Sequence, residues 1–219
     1  MDTCELHAKT AIRKRRILSL IAKPLLKLSG FKVTGSFPSN NRVILVAIPH
    51  TSVYDMYLMF LMVYTLGIDM NFLAAKWIFS RIASPFRLYT DPDKQGIPWP
   101  LGFIQKYIFI KAGGIPVVRS GKMNQLIIII NILKRKESFN LIIAPEGGIT
   151  KTNKLKLGFI PLAKKLNAEV VPVQVDYKNK VFNFLDPLDL TQHKDKLVTE
   201  LMVKFDGVVG KKSTYSLNE

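Results

Sequence analysis

Apolar residues gather along this chain in two kinds of run. Short, nearly unbroken runs occupy 42–48 (RVILVAI), 71–75, 139–144, 169–175 and 180–185, and a shorter one lies within GGIPVVRSG at 113–121. Runs of this length, rich in Val, Ile and Phe and bounded by Gly, Pro and Asn, read as strands covered on both faces. Longer segments at 53–66, 103–112, 123–136, 157–166 and 189–205 read as helices. Gly67 suits the C-cap of the first, while Lys134, Arg135 and Lys136 suit the C-terminus of the third. Strands that alternate with helices and are apolar throughout predict an α/β fold, a mainly parallel mixed sheet flanked by helices. No internal repeat and no linker divides it. The expected layout is one catalytic-size domain at 42–206, an N-terminal segment at 1–41 and a polar tail at 207–219.

Two stretches fall outside this rhythm. Residues 11–28, AIRKRRILSLIAKPLLKL, set Arg13, Lys14, Arg15, Arg16, Lys23 and Lys27 beside seven large aliphatic side chains. This is the composition of an amphipathic helix lying at an anionic membrane surface. A helix packed on its own domain with a solvated basic side fits the same pattern. The second stretch, 80–102, mixes prolines, glycines, aromatics and both charge signs, and reads as a long loop, either a lid or a membrane-touching excursion. The longest apolar run, 56–68, has about thirteen residues against the roughly twenty a bilayer needs. No stretch at the N-terminus reads as a signal peptide. Surface attachment, not spanning, is expected.

Charge narrows the partners. Thirty-two Lys and Arg against sixteen Asp and Glu give a net +16, which favours nucleic acid, an anionic bilayer or a phosphorylated small molecule. Neither a basic recognition helix nor basic residues interleaved with aromatics stands out, so nucleic acid is not the expected partner. The lone Cys4 has no internal disulfide partner, and His7, His50 and His193 are scattered. No metal site is expected.

The candidate chemistry centres on PHTSVYD, 49–55, between the first long strand and the first helix. Ser52 and Asp55 fit a helix-capping pattern that starts the helix at about Val53. His50 is then left in the turn, where it can fold back toward the Asp55 carboxylate. A carboxylate on one ring nitrogen fixes the tautomer and frees the other nitrogen to act as a base. Simple capping by Asp55 is the plainer alternative. Two further strand ends carry polar groups: Arg119, and Glu146 with Gly147 and Gly148. Ligands of open α/β sheets bind outside the carboxyl ends of the strands, so these groups are candidates for one cleft. A surface arginine and an ordinary glycine turn remain the bland readings.

Four blocks in order resemble the glycerolipid acyltransferase family that includes the bacterial lysophosphatidic acid acyltransferases. They are His50-x4-Asp55 with Thr51-Ser52, Gly114-Ile115-Pro116-Val117-Val118-Arg119, Pro145-Glu146-Gly147, and Val171-Pro172-Val173. The chain departs from the family at Pro49, where asparagine is common, and at Gly148-Ile149, where the third block usually continues Thr-Arg. The resemblance implies transfer of a fatty acyl group from acyl-CoA or acyl-acyl carrier protein to a lysolipid hydroxyl, with no bound cofactor. It implies His50 and Asp55 as the catalytic pair, and Arg119, Glu146, Gly147, Gly148 and Lys76 on the substrate. It places the enzyme peripherally on the cytoplasmic side of a membrane, of the bacterial inner-membrane kind. An acceptor without phosphate, such as an amino-acid lipid, and a non-catalytic membrane-surface protein of the same fold are the alternatives.

Overall fold

The computed structural model describes residues 16–84, 86, 88–118, 125–147 and 155–212. Arg119, Gly148 and the basic residues Arg13, Lys14 and Arg15 lie outside the described residues. The chain forms two compact units, one from residues 1–69 with 137–219, the other from residues 70–136.

The first unit is built on a mixed, mainly parallel sheet. Its strands are β1 (Lys32–Gly35), β2 (Arg42–Ile48), β7 (Phe139–Ile143), β8 (Glu169–Asp176) and β9 (Val181–Phe184). Their order is β1-β9-β8-β2-β7. β2 lies at the heart, parallel to β7 through Val46↔Ile143 and parallel to β8 through Ile48↔Gln174. β8 and β9 form the antiparallel pair of this sheet. Val43 to Ile48, Leu141 and Val170 to Val175 are almost wholly buried apart from Gln174. That two-sided burial is why these strands carry no polar alternation.

Among the described residues this unit holds the helices α1 (Arg16–Ser29), α2 (Val53–Leu66), α5 (Phe159–Leu166) and α6 (Lys194–Phe205). Gly67 closes α2 in the left-handed region at φ 69°, a conformation glycine adopts without a Cβ penalty. Pro161 sits in the first turn of α5, where a missing N–H breaks no helical bond. Phe159, Leu162, Ala163 and Leu166 turn inward from α5, and Leu197, Leu201 and Phe205 from α6. α1 differs: among its described side chains only Ala22 and Leu26 are buried, while Ile17, Leu20 and Leu28 are 75%, 72% and 85% exposed.

The second unit pairs β3 (Asn71–Ala75) in parallel with β6 (Gly114–Val117). It also holds α3 (Gly102–Lys111) and α4 (Gln125–Lys134). The excursion at 80–102 is more ordered than a bare loop. A 3-10 turn at Lys76–Phe79 leads into the antiparallel pair β4 (Arg81–Ile82) and β5 (Ile97–Pro98). Gln105 of α3 accepts from the Trp99 indole at 2.6 Å and donates to the carbonyls of Ile78 and Arg81 at 2.7 and 3.0 Å. Outside that pin, Phe86, Phe103, Tyr107, Ile108 and Ile110 are exposed.

Like β4 and β5, β1 is a strand the apolar pattern misses. Lys32–Gly35 is too short and too polar to read as a run, and it forms because β9 offers it a parallel partner through Val33↔Phe182.

Candidate active site

The carboxyl ends of β2, β7 and β8 lie side by side because the three strands are parallel neighbours. The turns leaving them therefore meet. β2 runs through the cis Ile48–Pro49 bond into His50 and Thr51. β7 runs into Pro145-Glu146-Gly147, and β8 into Tyr177.

Asp55 is the hub. Its side chain is 1% exposed, yet both of its oxygens are engaged. One oxygen, Oδ2, takes the backbone N–H groups of Thr51 and Ser52, each at 2.8 Å. The other, Oδ1, takes the Tyr177 hydroxyl. Ser52 is the N-cap: its hydroxyl accepts from Tyr54 N at 3.2 Å, and together with Asp55 at the third helical position it forms a capping box. The helix begins at Val53 for this reason, as the Ser52/Asp55 spacing predicts.

His50 lies outside the helix and folds back over it. Its Nδ1 comes within 3.2 Å of Asp55 Oδ2. That is ion-pair distance, although the approach lies off the line of a good hydrogen bond. Catalytic hydrogen bonds are often long or poorly aligned until substrate is bound. The ring keeps a contact with solvent, being 22% exposed.

Burial pushes the Asp55 carboxyl upward, but His50, the Tyr177 hydroxyl and the Ser52 N–H outweigh it, and the group is held below its ordinary value. It stays a carboxylate at neutral pH. For Tyr177, burial and then the Asp55 carboxylate push the phenol well up, so its proton stays on the oxygen it donates from.

Glu146 has a partner that its motif does not reveal. Its Oε2 accepts the backbone N–H of His50 at 2.6 Å, pinning the turn that carries the ring. Burial raises the Glu146 carboxyl, and the His50 N–H offsets only part of that. Gly147 follows at φ 73°, with its N–H donated to the Ala144 carbonyl at 3.0 Å. This N–H closes the turn that carries Glu146. A Cβ on Gly147 would also come within 2.4 Å of Lys156 Nζ. Lysine can move aside; the positive φ is the stronger demand for glycine.

The structure thus brings His50, Asp55, Glu146 and Gly147 together within the first unit. Lys76 belongs to the second unit, exposed at the start of the 3-10 turn. Arg119 and Gly148 are outside the described residues. Sequence reasoning passes over Tyr177, which sits one residue past β8 as an aromatic hydroxyl at a strand end. It also treats 207–212 as a plain polar tail. Instead the Val209 carbonyl accepts from Tyr177 N at 2.7 Å, and Lys212 N donates to Thr51 Oγ1 at 3.3 Å.

The sequence matches no protein-family model, and no curated protein matches it. Among solved structures the chain is similar to the 1-acyl-sn-glycerophosphate (LPA) acyltransferase PlsC from Thermotoga maritima. The likeness has a TM-score of 0.54 at 16% identity, over 86% of this chain and 75% of that one. A likeness at that identity is a likeness of fold, and it agrees with the mainly parallel mixed sheet that the apolar pattern predicts. This chain shares the α/β fold of that acyltransferase.

Proposed function

We propose that this protein transfers a fatty acyl group from a thioester to a hydroxyl of a lysolipid. The observation that carries the reading is the His50–Asp55 pair at 3.2 Å. It lies in a fold shared with an acyltransferase, at the strand ends where such folds bind ligands.

The chemistry follows from the two ring nitrogens. Asp55 faces Nδ1, so Nε2 is left to take the proton of the acceptor hydroxyl. The freed oxygen attacks the thioester carbonyl, and a C–O bond forms as the carbonyl electrons move onto oxygen. Collapse of that tetrahedral species breaks the C–S bond, and the imidazolium returns its proton to the leaving thiolate. Positioned acid–base help of this kind is worth about 10²–10⁴ in rate. Asp55, ionised and held by Tyr177, stabilises the imidazolium while it exists. Glu146 holds the His50 backbone so that the ring keeps its aim. No Gly-x-Ser-x-Gly elbow is present in the sequence, so direct attack is the simpler route.

Arg119 and Lys76 are assigned to the polar and anionic parts of the substrates on their motif positions. Acyl-CoA or acyl-acyl carrier protein is the donor class. The acceptor is taken as a lysophospholipid of the lysophosphatidic acid type. An amino-acid lysolipid is the second reading, favoured by Gly148-Ile149 standing where the family has Thr-Arg.

The membrane is reached through α1. Its outward face carries Ile17, Leu18, Leu20, Ile21, Leu25 and Leu28 with Lys23 and Lys27 also exposed. Large apolar side chains left in water beside cations suit an anionic bilayer surface. Among the described residues no helix is long and apolar enough to cross a membrane. Peripheral attachment on the cytoplasmic face is the arrangement proposed.

The test is acyl transfer from radiolabelled acyl-CoA and acyl-acyl carrier protein to a panel of lysolipids, wild type against His50→Ala. Turnover should fall by at least about 10²-fold in the variant. Product at the wild-type rate from the variant, or none from either protein with any acceptor, would sink the reading.

A further inference from the structure

The segment after α6 is built into the wall of the candidate site. It turns at Gly207 (φ 75°) and buries Val208. From there it bonds to the end of β8, Tyr177 N donating to Val209 O at 2.7 Å. It is then tied to the residue next to His50 by the Lys212 N–Thr51 Oγ1 bond of 3.3 Å. Two exposed cations, Lys211 and Lys212, are delivered there.

Lys211 is held in place. Its Nζ lies 3.8 Å from the centroid of the Tyr54 ring, and Tyr54 is itself tilted against Tyr57 at 5.4 Å. Both rings are partly exposed on the first turns of α2. A ring face steadies an ammonium electrostatically but takes none of its three N–H donors. Among the described residues neither Lys211 nor Lys212 meets a carboxylate; the ion pairs at His50, His193 and Lys204 leave both lysines out. Lys211 is thus an oriented ammonium with its donors unspent, one residue from the segment's bond to Thr51, the neighbour of His50.

We infer that Lys211, with Lys212, binds a phosphate group of a substrate and so orients that substrate at His50. The inference rests on the acyl-transfer reading for which molecule brings the phosphate, but not for the phosphate seat itself. That phosphate belongs either to the lysolipid head or to coenzyme A, and the same chemistry recognises both. Lys211 and Lys212 are positioning residues, since neither touches the reacting atoms.

The experiment is calorimetric binding of hexyl phosphate and of coenzyme A to the full chain, wild type against Lys211→Gln/Lys212→Gln. A Lys194→Gln/Lys196→Gln double variant on α6 serves as the charge control, because it removes the same two charges from exposed positions elsewhere. Loss of charge-assisted contacts should weaken one probe by at least about tenfold in the first variant. The control should bind like wild type, and all three proteins should share one melting temperature. Weakened hexyl phosphate assigns the seat to the acceptor, and weakened coenzyme A assigns it to the donor. Absence of binding by the wild type, equal binding by all three, or an equal loss in the control overturns the inference. If His50→Ala leaves turnover intact while Lys211→Gln/Lys212→Gln still loses phosphate, acyl transfer fails and the anion seat stands.

Discussion

At the start of α2 a carboxylate is buried, and along α1 large aliphatic side chains stand in water. Asp55 is surrounded by the Thr51 and Ser52 N–H groups, the Tyr177 hydroxyl and the His50 ring. Ile17, Leu20, Ile21 and Leu28 have more than half their surface exposed. Burying an ion costs several kcal/mol unless hydrogen bonds replace its water; leaving a leucine outside forgoes about 1.5–3 kcal/mol that its burial would supply. The first anomaly is compensated inside the protein. Among the described residues the second has no compensation.

α5 sharpens the contrast. It is as amphipathic as α1, yet its Phe159, Leu162, Ala163 and Leu166 are all within a few per cent of full burial. Amphipathicity is therefore common to both helices, and only the direction of the apolar face separates them.

Removal of the Asp55 carboxylate should have the largest effect. Asp55→Ala leaves two buried N–H groups and a phenol without an acceptor and removes the cap's reciprocal bond. The expected loss is about 2–4 kcal/mol in denaturant unfolding, together with at least about a hundredfold loss of turnover. An unchanged unfolding midpoint would mean that water reaches the site and the carboxylate is not special.

Within α1 the inward and outward positions should behave oppositely. Leu26→Ala should cost about 2–4 kcal/mol of stability, as buried leucines do. Leu20→Ser with Leu28→Ser should change stability by under about 0.5 kcal/mol for each substitution. The same pair should weaken sedimentation with anionic vesicles by at least about tenfold. High salt should weaken wild-type vesicle binding without abolishing it, because salt screens Lys23 and Lys27 but not the aliphatic face. Vesicle binding indifferent to the two serines would move the membrane contact elsewhere, and the exposed Phe103, Tyr107 and Ile108 of α3 would be tried next.

Tyr177→Phe tests the compensation one bond at a time. Removing the hydroxyl should cost about 1–3 kcal/mol, since its partner is charged and buried. It should also slow turnover less than His50→Ala does, because Tyr177 acts on His50 only through Asp55.

The smallest effects are the pH slopes, and the two carboxyls carry opposite signs. Asp55 binds fewer protons folded than unfolded. The stability it contributes is present above its ordinary value of 3.8 and is lost as pH falls through its lowered value. Glu146 binds more protons folded than unfolded, so stability declines as pH rises from 4.5 through its raised value. Asp55→Asn should flatten the stability curve on the acid side, and Glu146→Gln should flatten it above pH 4.5. The side-chain amide of the Glu146→Gln variant still offers His50 N an acceptor oxygen, so turnover should suffer less than in Glu146→Ala. Unfolding midpoints measured across roughly pH 3 to 7 check both signs.

Much of this protein is determined by near neighbours in the chain, and that part is legible in the sequence. The strand at Arg42–Ile48 and the helix at Val53–Leu66 follow from apolar runs, and the helix start from Ser52 and Asp55 three residues apart. The His50–Asp55 contact is legible as one of two readings, since a capped first turn leaves the preceding side chain free to fold back over it or to stay apart. What only the tertiary structure decides involves residues far apart in sequence. Tyr177 reaches Asp55 across 122 positions, Glu146 reaches His50 across 96, and Lys212 reaches Thr51 across 161. β1 exists because β9 is beside it, and the outward turn of α1 depends on which of its faces the core had room to accept. Periodicity states that a helix has an apolar face. Where that face points is settled by what packs against it, and a linear pattern contains no term for that.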